Sequence, residues 1–157
     1  MKVMGAVHPR VLGFLGRALS LELSAVQQYM TQAALLEQWA LEEWADRLRR
    51  ETVEEMKHAE RIVQRMLRLG VAPAASQLLP AETASDLVGL LRHDAVLEEL
   101  LIHHYGEAVR FCVLIADGES EAFFRELWNE EREHGEELQR WQLELAGAGQ
   151  LEERARF

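Results

Sequence analysis

The chain of 157 residues has the length of one ordinary domain, and its composition, 48% hydrophobic with only three prolines, favours helices over a sandwich or barrel. A formal net charge of −10 excludes a nucleic-acid-binding face, which needs a basic patch, and favours the attraction of small cations. Cys112 is the single cysteine, which excludes an internal disulfide framework and a four-thiolate metal site and fits a reducing compartment.

No apolar run approaches the roughly eighteen residues of a membrane span. His8, Pro9 and Arg10 also interrupt the N-terminal segment before a signal-like core can form, so a soluble, cytoplasmic protein with neither membrane nor nucleic-acid partners is expected. Pro9 suits the first turn of a helix, and apolar residues recur at helical spacing through Leu12, Leu15, Leu19, Leu23, Val26, Met30 and Ala33. The first helix is predicted from about Pro9 to about Gln38, followed by a tight turn near Trp39 to Glu42. A second helix should run from about Glu42 to Leu69 and stop at Gly70, a left-handed cap with Pro73 beyond it. Residues 70 to 84 hold Pro73, Ser76 and Pro80 without a sustained period and read as one long crossover along the bundle. Thr83 or Ser85 should cap a third helix that ends near Ala116, where Asp117-Gly118 breaks it. Ser120 should then cap a fourth helix running to about Ala146, with Gly147 and Gly149 ending it and a short C-terminal tail over 147–157. Four long helices, two short turns and one crossover predict a single all-α domain, an antiparallel four-helix bundle over about residues 9–146.

Glu55 and His58 stand three residues apart on the second helix, one turn apart on one face, where they can share a metal ion. The same Glu-x-x-His recurs at Glu131 and His134, displaced by 76 residues, and that displacement also carries Glu22 onto Glu98 and Tyr29 onto Tyr105, the only other tyrosine. Two copies of one ligand-bearing helical hairpin are thus written into the chain. Glu22 lies between Leu19 and Val26, and Glu98 among Ala95, Leu101 and Ile102, so both carboxylates fall on or beside faces that should be buried. An unpaired buried carboxylate costs several kcal/mol, so four of them demand compensating cations. Two divalent ions balance Glu22, Glu55, Glu98 and Glu131, which predicts a dinuclear centre. Carboxylates with two imidazoles suit iron or manganese better than zinc.

On these residues the chain resembles a bacterioferritin, of the ferritin-like di-iron superfamily. The similarity covers essentially residues 9 to 146, through Leu21-Glu-Leu-Ser-Ala-Val-Gln-Gln-Tyr29, Glu54-Glu-Met-Lys-His-Ala59, Leu91-Arg-His-Asp94 before Glu98, and Glu130-Glu-Arg-Glu-His134. The resemblance implies Glu22 and Glu98 as terminal carboxylates, His58 and His134 as terminal imidazoles, and Glu55 and Glu131 as bridges between two irons, with Tyr29 as a phenol beside the centre. It implies ferroxidase chemistry, the oxidation of Fe²⁺ by O₂ or H₂O₂, with the ferric product stored as mineral in a hollow shell of about 24 subunits built from homodimers. A reductase or ferredoxin partner for iron release is implied too. Met56 follows Glu55 and so points about 100° away from the metal side of its helix. In the family the matching methionine ligates haem, which implies one haem b per two chains at a two-fold dimer interface. Arg50 and Ile62 depart from the histidine and tyrosine that many members carry there. The short C-terminus departs as well. Tyr105 makes the site more symmetric and is similar to rubrerythrins, whose small-oligomer peroxidase activity is the alternative. Against it, Leu101 stands where rubrerythrins usually add a glutamate.

Overall fold

A computed structural model describes residues 6–155, and among them the chain forms four long helices and no strand: α1 (Pro9–Gln38), α2 (Glu42–Arg68), α3 (Leu87–Leu114) and α4 (Gly118–Ala155). The outer limits of the expected domain, residues 1–5 and 156–157, lie outside the described residues. α1 starts where Pro9 loses no needed N–H, and His8 Nδ1 accepts a hydrogen bond from the Arg10 amide at 3.1 Å.

The caps of the next hairpin differ from expectation. Asp86, not Thr83 or Ser85, caps α3: its backbone is extended, and its carboxylate accepts from the Gly89 amide at 2.8 Å. Gly89 is required there, because a Cβ would stand 2.7 Å from the Ala84 Cβ. α4 begins at Gly118 rather than at a Ser120 cap, since Asp117 Oδ1 accepts from the Ser120 amide at 3.1 Å. In both cases an aspartate one to three residues from the expected cap supplies the stronger acceptor.

Three helix ends share one device. Ala40 (φ 60°), Gly70 (φ 79°) and Ala116 (φ 57°) take left-handed backbones. Just beyond each, an amide reaches back across the last turn: Leu41 N to Leu36 O at 2.9 Å, Val71 N to Met66 O at 2.9 Å and Asp117 N to Cys112 O at 2.9 Å. Ala40 and Ala116 are themselves 76 residues apart, so the repeated hairpin repeats its turn. The fourth helix departs most from expectation, for it continues through Gly147 and Gly149 to Ala155. The reason is energetic: a glycine inside a helix costs only about 1 kcal/mol. No proline follows, and among the described glycines only Gly70 adopts the left-handed backbone that would break the helix.

Within each hairpin, α1 packs along α2 and α3 along α4, and the hairpins join chiefly through α1 and α3. Fully buried Leu15, Leu36, Leu48, Leu90, Phe124 and Leu127 fill the bundle beyond the middle layer. Burying each such side chain stabilises the fold by about 2 kcal/mol relative to leaving it in water.

The crossover, residues 69–86, has no helix or strand of its own and is held by a polar stripe on α1. Ser20, Ser24, Gln28 and Gln32 recur every four residues and so share one face. Ser20 Oγ accepts from the Gln77 amide (3.1 Å), Ser24 Oγ from the Leu79 amide (2.9 Å) and Gln28 Oε1 from the Glu82 amide (3.3 Å). Gln32 Nε2 donates to the Glu82 carbonyl at 3.0 Å. These bonds satisfy backbone groups that have no ladder partner. No helix among the described residues is long and apolar enough to cross a membrane.

Candidate metal centre

At mid-bundle each helix turns acidic or aromatic residues inward. The buried polar residues there are Glu22 and Gln28 on α1, Glu51, Glu55 and His58 on α2, Asp94 and Glu98 on α3, and Glu131 on α4. All six residues expected as metal ligands come together. They form two overlapping groups, Glu22–Glu55–His58–Glu131 and Glu55–Glu98–Glu131–His134, and within each group one ligand atom per residue lies within 4.8 Å of all the others. Glu55 and Glu131 belong to both groups.

The geometry has an approximate two-fold axis. His58 Nδ1 stands 2.8 Å from Glu131 Oε1, and His134 Nδ1 stands 2.8 Å from Glu55 Oε1, so each imidazole reaches across to the other hairpin's carboxylate. The two rings stack at 5.5 Å with a 14° tilt. Tyr29 donates its hydroxyl to Glu98 Oε1 at 2.6 Å, and Tyr105 donates to Glu22 Oε1 at 2.6 Å. Tyr29 therefore serves the carboxylate of α3, not Glu22 on its own helix.

One oxygen of each of the four expected carboxylate ligands is left over. Glu22 Oε2, Glu55 Oε2, Glu98 Oε2 and Glu131 Oε2 are buried and have no hydrogen-bond partner. Partnerless buried carboxylate oxygens are too costly to be incidental four times in one place, and cations between them would satisfy all four. The residues fit a pair of divalent metal ions, and the oxygen-rich set with two imidazoles suits iron or manganese.

Protonation shows the same demand. Burial, with Glu55 alongside, pushes Glu22 up to about 8. Burial and Glu55 push Glu98 up to about 7, and burial with three neighbouring carboxylates raises Glu131 as well. Glu55 goes the other way: burial opposes its ionisation, but hydrogen bonds from Glu22, His134 and His58 hold it below the ordinary carboxylate range. Burial also opposes charge on the imidazoles, yet hydrogen bonds to Glu22 and Glu55 carry His58 up to about 10, and those to Glu55 carry His134 up to about 9. These shifts favour protons on Glu22, Glu98, Glu131 and the two imidazoles, groups that would otherwise hold cations.

Met56 is half exposed, on the side of α2 away from the centre. Ile62 is fully buried and Arg50 is exposed. Three polar residues at the centre were not among the expected ligands. Tyr105 was detectable through the 76-residue displacement from Tyr29. Asp94, which accepts from Gln28 Nε2 at 2.8 Å, and Glu51, 3.6 Å from His134 Nδ1, have no counterpart in the repeat that would have marked them.

A family model described as a ferritin-like domain matches residues 13–146. The chain is 34% identical over 125 residues to a bacterioferritin of Rhodobacter capsulatus, covering 80% of this chain and 78% of that protein. It is 30% identical over 145 residues to one of Mycobacterium leprae (92% and 89% covered) and 31% identical over 127 residues to one of Brucella melitensis (81% and 79% covered).

Proposed function

Because the chain belongs to the ferritin-like family and, within it, to the bacterioferritins, we propose that it oxidises ferrous iron with O₂ or H₂O₂ and stores the ferric product, the ferrous ions being its substrate. The observation that carries this reading is the sharing of Glu55 and Glu131 between the two ligand groups. Glu22 and His58 would hold one ion, Glu98 and His134 the other, and Glu55 and Glu131 both. Two ferrous ions held side by side supply two electrons to one oxidant molecule, which limits one-electron products.

The protein residues set the conditions. Tyr29 and Tyr105 fix the orientation of Glu98 and Glu22 through one oxygen each and leave the second free for the ion. The imidazoles and the raised carboxylates give up protons as ions arrive, so loading releases acid. Burial of Glu22, Glu55 and Glu131 keeps bulk water from the oxidation.

The same reading includes a homodimer as the building block of a large shell in the cytoplasm, a reductase or ferredoxin partner that returns electrons for release, and haem b at Met56 between two chains. A rubrerythrin-like peroxidase is the second reading. The mirrored Tyr105–Glu22 bond favours it, while the fully buried Leu101, in place of a further glutamate, opposes it.

Ferrous iron added in air should give a fast oxidation phase that saturates near two irons per chain and disappears in Glu55→Ala while the bundle still folds. A fast phase unchanged in that variant would refute the assignment. Particle mass with iron content separates the two readings: a large iron-loaded shell supports storage, a small di-iron dimer the peroxidase.

A further inference from the structure

The 76-residue displacement that matches the two hairpins also marks a place where they fail to match. The crossover lies over the seam between the C-terminal half of α1 and the start of α3. Ser24 and Gln28 of α1 hold it there, and it packs against Gly89, where an added Cβ would meet the Ala84 Cβ at 2.7 Å. In the mirror-image seam, between the start of α1 and the C-terminal half of α3, Gly89 becomes Gly13, and Ser24 and Gln28 become Leu100 and His104. No segment among the described residues covers this second seam, and a Cβ on Gly13 would have no neighbour within 4 Å.

Two adjoining hollows of about 310 and 330 Å³ stand open there and share Arg10, Phe14, Arg17 and His104 as walls. Arg10, Phe14, Arg17 and Leu21 recur at helical spacing and form one stripe along α1, with Leu100 and His103 of α3 facing it. The Arg10 guanidinium lies 4.3 Å from the Phe111 ring centroid and 5.9 Å from that of Phe14, so aromatic faces position it rather than an acid. His104 Nε2 donates to the Phe14 carbonyl at 2.9 Å, which fixes that ring. Glu107, the one acid on these walls, is bound to Arg110 at 2.6 Å, and among the described residues neither Arg10 nor Arg17 has an ion-pair partner. Burial, joined by Arg17 and His103, lowers the His104 pKa in spite of the Phe14 bond, so a positive field reaches into the seam of a chain whose net charge is −10.

We infer that this open seam binds a small organic anion, with a phosphate or carboxylate head held by Arg10 and Arg17 and an apolar body laid against Phe14, Leu21 and Leu100. The two arginines leave α1 two turns apart, about 10 Å, a separation from which both long side chains can converge on one head group. Apolar walls with a few polar groups around a hollow of this size suit a body of about one ring and are too small for a helix of a partner protein. Leu21 and His104 each precede a residue of the metal centre, but Glu22 and Tyr105 turn the other way, into the bundle, where they bond each other at 2.6 Å. The site is therefore separate from that centre and holds whatever metal the centre takes.

Isothermal titration of chelator-treated full-length protein at low ionic strength, so that no anion binds through a metal ion, tests this with phenyl phosphate and benzoate. At least one of the two should bind at one per chain, the tighter of them identifying the head group. Phenol, a ring without charge, and inorganic phosphate, a charge without a ring, should each bind at least about tenfold more weakly than that anion. Arg17→Gln removes a charged donor and should weaken it about tenfold or more. Gly13→Leu fills the open space with a residue that favours the helix, so it should block binding without lowering the melting temperature. Absence of binding by both anions, undiminished affinity in either folded variant, or phenol or inorganic phosphate binding as tightly as the preferred anion would overturn the inference.

Discussion

Replacing Tyr105 with phenylalanine removes one oxygen atom from a fully buried position and leaves the ring in place. The lost bond is the 2.6 Å donation to Glu22 Oε1, which leaves that oxygen with only His58 Nδ1, 3.4 Å away, beside an Oε2 that already lacks a partner. A hydrogen bond to a charged group is worth about 1.5–3 kcal/mol and one between neutral groups about 1 kcal/mol. Glu22 ionises near 8, so below that pH the lost bond is a neutral one and above it a charged one. The metal-free variant should therefore lose about 1 kcal/mol at pH 6 and about 2 kcal/mol or more at pH 9. For a domain of this size that corresponds to a fall in melting temperature of about 2–4 °C and 4–8 °C respectively. Tyr29→Phe, which bares Glu98 in the same way, should match it, with its larger loss setting in from about pH 7. Saturating Mn²⁺ should shrink both losses, since the ion becomes the partner of the bared oxygens. Thermal unfolding by circular dichroism at the two pH values, with and without Mn²⁺, measures all of this. A loss independent of pH and of metal would refute the reasoning and reduce both tyrosines to packing.

Stability of the metal-free protein should fall as pH rises from about 5 to 9, because Glu22, Glu98, Glu131, His58 and His134 all bind protons more tightly when folded than in ordinary surroundings. Stability linked to raised pKa values is present below the unfolded values and lost as pH passes the folded ones. Melting-temperature gain from Mn²⁺ should accordingly widen from pH 6 to 8.5, and a gain that narrows would contradict proton displacement. Ala40→Gly and Ala116→Gly should each stabilise the fold by about 0.5 kcal/mol by relieving left-handed backbones, while Gly70→Ala should cost about 1 kcal/mol, as chemical denaturation would report. Haem added to purified protein should give a low-spin spectrum that Met56→Leu abolishes without altering iron oxidation. A spectrum that survives the substitution would leave Met56 as a contact residue only.

Much of the bundle was legible because its signals are local and periodic. Pro9, Gly70 and the apolar spacing of α1 mark ends and faces through backbone chemistry that needs no partner, and the displacement linking Glu22, Glu55, His58 and Tyr29 to their second copies brings out the centre before any coordinates. What stayed hidden depends on competition or on distance. Several acceptors compete to cap α3, and Asp86 wins by extended geometry that residue type alone does not reveal. Gly147 and Gly149 look like stops, but a glycine stops a helix only where the chain also turns. The Arg61–Glu130 pair joins residues 69 positions apart, and nothing in the sequence of either helix selects that pairing over the many other charges nearby.

The polar stripe of α1 also bears on how a duplicated chain comes to be one molecule. Displaced by 76 residues, Ser20, Ser24, Gln28 and Gln32 become Val96, Leu100, His104 and Ala108, none of which could hold an extended strap in the same way. Two identical hairpins would be interchangeable, free to exchange between neighbouring chains or to dock in either order. A strap that only one of them can bind gives the pair a direction. It ties the connection to the first hairpin and, through Gln28 and Asp94, fastens that hairpin to the second. The loss of likeness between the copies along this edge is thus what allows their likeness at the centre to persist within a single chain.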